Sequence, residues 1–324
     1  MKRILGIGNA LVDVLTKVDN EQILSELHLP KGSMQLLSTE AYAEVTRRMQ
    51  ALPTKLTTGG SACNTLLALS HLDAPTGMIG KIGDDENGRF FASYFAQRGI
   101  STRLLHDSRP TGVASTFITP DGQRTFGTYL GAAAQLTADE LQQAWFEGYD
   151  YFYIEGYLVQ NHDLVLRAIE LAHAAGCEVC LDLASYNIVE ADLDFFRALM
   201  PSIDIVFANE QEAQALTGLE ARAALDALAA TCHMAVVKIG KHGVWACHGT
   251  EVAHCQARDV PVVVDTTAAG DYFAAGFMHA LAAGEPLATC IARGSLLAGH
   301  IIEVVGTELP DATWQQLRLQ CGLA

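Results

Sequence analysis

The chain has 324 residues, with 37 Asp and Glu against 21 Lys and Arg, for a formal net charge of −16 at pH 7. Half of its residues are hydrophobic and 18% are charged, and the mean hydropathy is +0.18; this excludes a disordered chain, because enough apolar surface is present for burial to offset chain entropy. The acidity excludes a nucleic-acid binder, which needs Lys and Arg to displace counterions from phosphates, and obliges any phosphate site to rely on local dipoles.

In chain order, the apolar run Ile4–Val12 predicts a first β-strand. Its basic start resembles a signal peptide, but Asp13 interrupts the run and no A-x-A pattern follows. Thr111–Thr119 and Arg124–Leu130 flank Pro120-Asp121-Gly122-Gln123, a hairpin signal. Strands joined by a hairpin lie outside βαβ units, so a small β lid is expected from about residues 11–40 and 100–130, over one edge of the main sheet. Further on, short apolar runs at Tyr151–Ile154, Glu178–Asp182, Ile205–Ala208, Ala235–Ile239 and Val244–Cys247 predict strands. Helical patterns at Leu164–Ala175, Asp192–Met200, Gln211–Leu216 and Ala221–Thr231 alternate with them. Such alternation predicts a mostly parallel sheet covered by helices on both faces. No Pro/Ser-rich linker divides the chain, so residues 1–324 are expected to form one α/β domain with its lid. No apolar stretch is long enough to span a bilayer; Val262–Ala283, the richest, contains Asp265 and Asp271. A soluble, cytoplasmic protein with no membrane partner is expected.

The eight cysteines are scattered through a large chain, which suits a reducing compartment. Cys177 and Cys180 form a C-x-x-C, and Cys247-His248 with His254-Cys255 imitates four metal ligands. Both groups fall in or beside strand patterns, where a buried cysteine is the simpler explanation. Gly6-Ile7-Gly8 lacks the third glycine of a dinucleotide fingerprint, because Leu11 stands there. Gly80-Lys81 and Gly240-Lys241 lack the rest of a Walker A motif, and no G-x-S-x-G or H-E-x-x-H occurs.

The chemistry is concentrated in Val262-Val263-Val264-Asp265-Thr266-Thr267-Ala268-Ala269-Gly270-Asp271. A buried strand is expected to end at Asp265, a run of small residues to turn, and a helix to begin near Asp271, with Phe273, Phe277 and Leu281 as its core stripe. A small-residue turn into a helix N-terminus offers free backbone N–H groups at the positive end of a dipole, which is an anion site. Asp271 at its edge is either an N-cap or a base facing the same ligand.

This segment resembles the D-T-x-G-A-G-D signature of the ribokinase-like (pfkB) carbohydrate and nucleoside kinases. Thr58-Gly59-Gly60-Ser61-Ala62-Cys63-Asn64-Thr65, with Gly80, Gly83, Asp84 and Gly88, resembles that family's N-terminal signature. Asn209-Glu210-Gln211-Glu212 is similar to its N-x-x-E element, and Val237-Lys238-Ile239-Gly240-Lys241-His242-Gly243 to its nucleotide segment. The matches run in family order from Gly8 to Gly306. The resemblance implies a three-layer α/β sandwich with a small β lid, and an ATP-dependent kinase.

By the same resemblance, Asp271 is the base that receives the substrate hydroxyl proton; a carboxylate of ordinary pKa, near 4, can serve because in a loose phosphoryl transfer the proton can leave late. The amides around Ala268, Ala269 and Gly270 would hold the γ-phosphoryl charge. Ala268 stands where the family has Gly, which is harmless at negative φ and costs about 1 kcal/mol or more at positive φ; it is read as tolerated. Asn209 and Glu212 would organise Mg²⁺ through water, and they also fit a helix N-cap with its first-turn Glu. ATP would lie along Asn209, Lys238, Gly240, Gly243 and Thr266, with adenine near Val260–Val262 and His300, the last being equally an ordinary packed residue. The acceptor would meet Asn9, Asp13, Gly59, Gly60, Asn64 and Tyr157. Asp13 would accept bonds from vicinal hydroxyls unless it is a solvated strand end, and Arg124 is either a lid residue that closes on phosphate or a solvated charge. Gly8-Asn9-Ala10-Leu11-Val12-Asp13 and Leu297-Ala298-Gly299-His300 resemble adenosine-kinase-type members most, so a ribonucleoside acceptor is favoured, with ribose, fructose phosphate and ketodeoxygluconate as alternatives. A catalytically silent binding protein on the same fold is a further alternative. The sequence leaves open monomer or homodimer and any monovalent-cation requirement.

Overall fold

Alternating apolar side chains that are buried on both sides produce the main sheet in this computed structural model, which describes residues 1–323. Its strands are β1 (Ile4–Ile7), β5 (Thr76–Gly83), β6 (Ser101–Asp107), β9 (Tyr151–Glu155), β10 (Glu178–Asp182), β11 (Ile205–Asn209), β12 (Met234–Lys238), β13 (Val244–His248) and β14 (Glu251–Cys255). They lie in the order β14-β13-β12-β11-β10-β9-β1-β5-β6. The pairings from β12 through to β6 are all parallel, and β13 and β14 add an antiparallel edge. Ile4, Tyr153, Phe207 and Val236 point to one face, against helices Ser61–His71, Ala269–Ala282 and Leu287–Ile301. Leu5, Phe152, Ile154 and Val206 point to the other, against helices His162–Ala174, Glu210–Thr217 and Ala221–Ala229. This is the ribokinase-like architecture, with the strands in the second half within a residue or two of their predicted bounds.

A smaller sheet has the order β3-β8-β7-β2-β4, from β2 (Leu11–Lys17), β3 (Met34–Leu36), β4 (Thr54–Gly59), β7 (Gly112–Ile118) and β8 (Arg124–Tyr129). Val18, Leu24, Val45, Met49 and Phe117 form its own apolar cluster. The predicted hairpin is β7–β8, but the lid segments differ from expectation. Residues 101–107 pair parallel with β5 across helix Glu86–Gln97, an ordinary βαβ unit, so they belong to the main sheet. β4, outside the predicted segments, pairs antiparallel with β2 from Leu11↔Gly59 to Thr16↔Thr54.

Val262–Asp265 is not the buried strand expected from its β-branched run. Val262, Val263 and Val264 are 66%, 55% and 47% exposed. The segment finds no strand edge to ladder with; its Val264 and Asp265 amides donate to one carbonyl, that of Ile302. Cys177, Cys180 and Cys247 are buried and free. Among the described residues no group of three or more His, Cys, Asp or Glu side chains is arranged to hold a metal, and no helix is long and apolar enough to cross a membrane.

Candidate active site

Four neighbouring strands of the main sheet finish on a polar residue: Glu155 on β9, Asp182 on β10, Asn209 on β11 and Lys238 on β12. Glu155 pairs in register with Asp182, and Asn209 with Lys238, so parallel pairing brings four chemically active groups into one row. β1 lies between β9 and β5, where the order of strands reverses; the crevice at such a point is where open α/β sheets bind ligands.

Asp271 stands over this row in the first turn of helix Ala269–Ala282. Ser61 Oγ donates to one carboxylate oxygen at 2.7 Å and Asn64 Nδ2 to the other at 2.8 Å. Both donors lie on the first turn of helix Ser61–His71, which packs directly against the Asp271 helix. Burial raises the Asp271 pKa to about 7, against the pull of the two hydrogen bonds and with the added push of the Asp182 charge. The ordinary value near 4 expected from sequence therefore does not hold.

Ahead of Asp271, Ala268 adopts φ +61°, ψ +6°, so the alanine does sit in the left-handed region where glycine is favoured, and the costly alternative applies. Its conformation turns the chain sharply into the helix. The Ala269 amide is engaged by Thr266 O at 3.2 Å, whereas those of Gly270 and Asp271, at the helix start, have no partner among the described residues. The expected anion site thus has one donor fewer than the sequence suggests. Lys238 stands beside it: a Cβ on Gly270 would lie 3.4 Å from its Nζ. Burial opposes the Lys238 ammonium, but Asp182, at 3.2 Å, and Glu212 outweigh it and raise its pKa.

Asn209 and Glu212 form a reciprocal capping box at the start of helix Glu210–Thr217. Glu212 accepts from Asn209 N at 2.7 Å and Asn209 Nδ2 at 2.6 Å, and Asn209 Oδ1 accepts from Glu212 N at 2.9 Å. The N-cap reading is correct here, and burial raises Glu212 to a pKa of about 7.

On the opposite side, Asp13 on β2 faces Gly59, where a Cβ would lie 2.1 Å from its Oδ1. Gly60, at φ +99°, has the Asn9 carbonyl 2.1 Å from its own Cβ position. These glycines are required by close approach of the protein's own atoms. Burial brings Asp13 to a pKa of about 7 despite the Arg124 charge, with Asp271 adding to the rise. Asp13 is therefore not a solvated strand end. Arg124 is no solvated charge either: it reaches from β8 to Asp265 at 2.7 Å, both side chains are 9% exposed, and its Nη2 is buried without a partner. Asp265 also receives Thr267 N, Thr267 Oγ1 and Gly306 N, tying the small sheet to the turn before Asp271.

A cavity of about 780 Å³ opens between the two sheets. Asn9, Ser61, Glu155 and Tyr157 contribute its polar lining, and Leu11, Met34, Leu36, Leu136 and Ile188 its apolar walls. Two other expected site residues have close protein neighbours. Gly243 packs against the Cys255 carbonyl of β14, 1.9 Å from its Cβ position, and His300 is buried beside Glu303 at 3.5 Å, as an ordinary packed residue would be. Gly240, at φ +56°, faces open space, and Thr266 is exposed. Ser61 was legible only as a motif member. Glu155 and Asp182 were missed, although each closes an apolar strand with a carboxylate, the available signal.

A carboxylate gripped at a helix N-terminus, with a lysine and unpaired amides on one side and a shaped cavity on the other, is built for phosphoryl transfer, and with this fold it defines a kinase of the ribokinase-like class. Residues 36–314 match the profile of the pfkB family carbohydrate kinases, and the chain belongs to that family. The structure of adenosine kinase from Sinorhizobium meliloti is 32% identical and superposes with a TM-score of 0.87, covering 99% of each chain. Adenosine kinase of Saccharomyces cerevisiae is 28% identical over 94% of this chain and 96% of its own. Fructoselysine 6-kinase of Escherichia coli K12 is 28% identical over 78% and 92%. The chain is a sugar or nucleoside kinase, a phosphotransferase, and ATP is the co-substrate that its family implies.

Proposed function

We propose that the chain transfers the γ-phosphoryl group of ATP to the hydroxymethyl group of an adenosine-like ribonucleoside, with Asp271 as base. The observation that carries the chemistry is the Asp271 carboxylate held between Ser61 and Asn64 at the mouth of the helix. The acceptor oxygen bonds to the γ-phosphorus as the bond to the β,γ-bridging oxygen breaks; ADP departs and the hydroxyl proton passes to Asp271. The Gly270 and Asp271 amides and Lys238 meet the charge that develops on the phosphoryl oxygens.

The nucleoside reading is supported by the cavity. Its leucine, methionine and isoleucine walls and the Tyr157 ring suit a flat base better than a bare sugar, which would leave apolar surface wet. Asp13 stands ready to accept from the vicinal ribose hydroxyls. The adenosine kinases named above agree with this; the fructoselysine 6-kinase, as identical to this chain as the yeast enzyme is, favours a sugar acceptor as the second reading.

The residues present fit a hydrated Mg²⁺ better than a directly ligated one. Both Glu212 oxygens are engaged by Asn209, yet Asp182 and Glu212 together exceed the single charge of Lys238, leaving negative potential for a cation reached through water. Bound there, Mg²⁺ supplies charge neutralisation for the ATP phosphates.

The test is ATP turnover with adenosine, inosine, ribose, fructose 6-phosphate and ketodeoxygluconate. Adenosine is expected to give the highest kcat/KM, and Asp271→Asn to lower kcat by at least about 100-fold with the fold intact. An active Asp271→Asn enzyme overturns the mechanism; a better sugar overturns the nucleoside; tight acceptor binding without turnover by the wild type identifies a silent binding protein.

A further inference from the structure

The acceptor cavity holds an uneven distribution of charge. Glu155 lies in its floor and Asp163 at its rim, and among the described residues that line it there is neither Lys nor Arg. Ser61, which also lines it, donates to the Asp271 carboxylate at 2.7 Å, and the Asp271 charge contributes to the raised pKa of Asp13. Glu155 is buried and takes three protein donors, from Asn9 N at 2.8 Å, Asn9 Nδ2 and Ala62 N at 3.0 Å.

The cations nearest this space are already matched. Lys238 pairs with Asp182 at 3.2 Å and faces Gly270, on the phosphoryl side of Asp271. Lys81, beneath the turn Gly131–Gln135, pairs with Glu140 at 2.6 Å and Asp107 at 3.8 Å. Arg124 keeps one nitrogen without a partner, but its charge stands between Asp265, at 2.7 Å, and Asp13. At the rim, the His162 ring stacks on Phe195 and meets Asp192 at 3.0 Å. An anion bound in the cavity would therefore face carboxylates without gaining a counter-charge, and burial would weaken the screening of that repulsion.

We infer that the acceptor site admits uncharged and cationic acceptors and excludes those bearing a phosphate or carboxylate of their own. The inference rests on the reading that this cavity takes the acceptor, and it removes fructose phosphate and ketodeoxygluconate from the alternatives that the sequence left open. The enzyme receives a second anion, ATP, only because the phosphates fall on the other side of Asp271, where Lys238 and the helix N-terminus stand.

Matched pairs test it: adenosine with adenosine 3′-monophosphate, and fructose with fructose 6-phosphate, each measured for kcat/KM and for binding in the absence of ATP. The anionic member is expected to be at least about 100-fold weaker by either readout. Raising the ionic strength should narrow that gap, which a steric clash would not do. Gln160→Lys, which places a cation on the exposed rim of the cavity, should shift the anionic-to-neutral ratio of kcat/KM about 10-fold toward the anionic members. Anionic acceptors that bind as well as neutral ones, a gap insensitive to salt, or a silent Gln160→Lys each overturn the inference. If no acceptor turns over, the kinase reading fails, and the binding arm still decides the rule of charge.

Discussion

At Asp271, burial and two donated hydrogen bonds act in opposite directions, and burial prevails, leaving the pKa at about 7. The acceptor kcat/KM should accordingly rise with pH through about 7 as the base loses its proton, seen in the acid limb of a pH–rate profile. The same shift has a sign for stability. The folded pKa lies above the ordinary 3.8, so the folded state holds the proton more tightly; this contribution is full below about pH 4 and is lost as pH rises through 7. Without ATP, the thermal midpoint of Asp271→Asn relative to wild type should climb between pH 5 and pH 8; a constant difference would refute the raised value. Three positions earlier, Ala268 carries left-handed strain that the amino-acid identity alone could not reveal, since the residue would be harmless at negative φ. Ala268→Gly should stabilise the protein by about 0.5–1 kcal/mol after the extra unfolded-state freedom of glycine is deducted, read from the denaturant midpoint, without loss of kcat.

Among the elements, the end of β9 holds two others in place. Helix Ser61–His71 starts at Gly60 with no side-chain cap of its own, and Glu155 provides one from a different strand by accepting from Ala62 N. Its other oxygen fixes Asn9 in the turn after β1, and Gly8 is needed because a Cβ there would lie 2.4 Å from Glu155 Oε2. The placing of Asn9 in the cavity lining and the grip of Ser61 and Asn64 on Asp271 thus depend on one buried carboxylate. Glu155→Ala, which strands these donors, should cost about 2–4 kcal/mol in chemical denaturation and raise the acceptor KM, while the ATP KM stays within about 2-fold. The elements differ in how far they could be read. Short apolar runs between helical patterns mark β9 to β13 because parallel strands buried on both faces need them. Val262–Val264 has the same composition but no neighbouring strand, so the same residues remain exposed. β4, with Thr54-Lys55-Leu56-Thr57-Thr58, has too little apolar contrast to be recognised before β2 is seen beside it.

At the scale of the whole molecule, the net charge of −16 is compatible with the proposed ATP site because a cation is placed locally, with Lys238 by Gly270, while Arg124 is spent on Asp265. With so little positive charge in reserve, turnover should depend on Mg²⁺. Chelation by EDTA is expected to abolish activity and leave the circular dichroism spectrum and thermal midpoint of the ATP-free protein unchanged, and activity that persists under chelation would count against this arrangement. By itself the sequence determined the alternation of strands and helices, the hairpin of the small sheet, the family, and Asp271 as the central carboxylate, because these depend on local periodicity and on motifs a few residues long. Only the tertiary structure decided the rest: the raised pKa of Asp271, the burial of Arg124 against Asp265, the meeting of Glu155, Asp182, Asn209 and Lys238 at the ends of four strands, and the lack of Lys and Arg among the described residues that line the cavity. Each of these depends on distances between residues far apart in the chain, and on how completely the folded protein excludes water from between them.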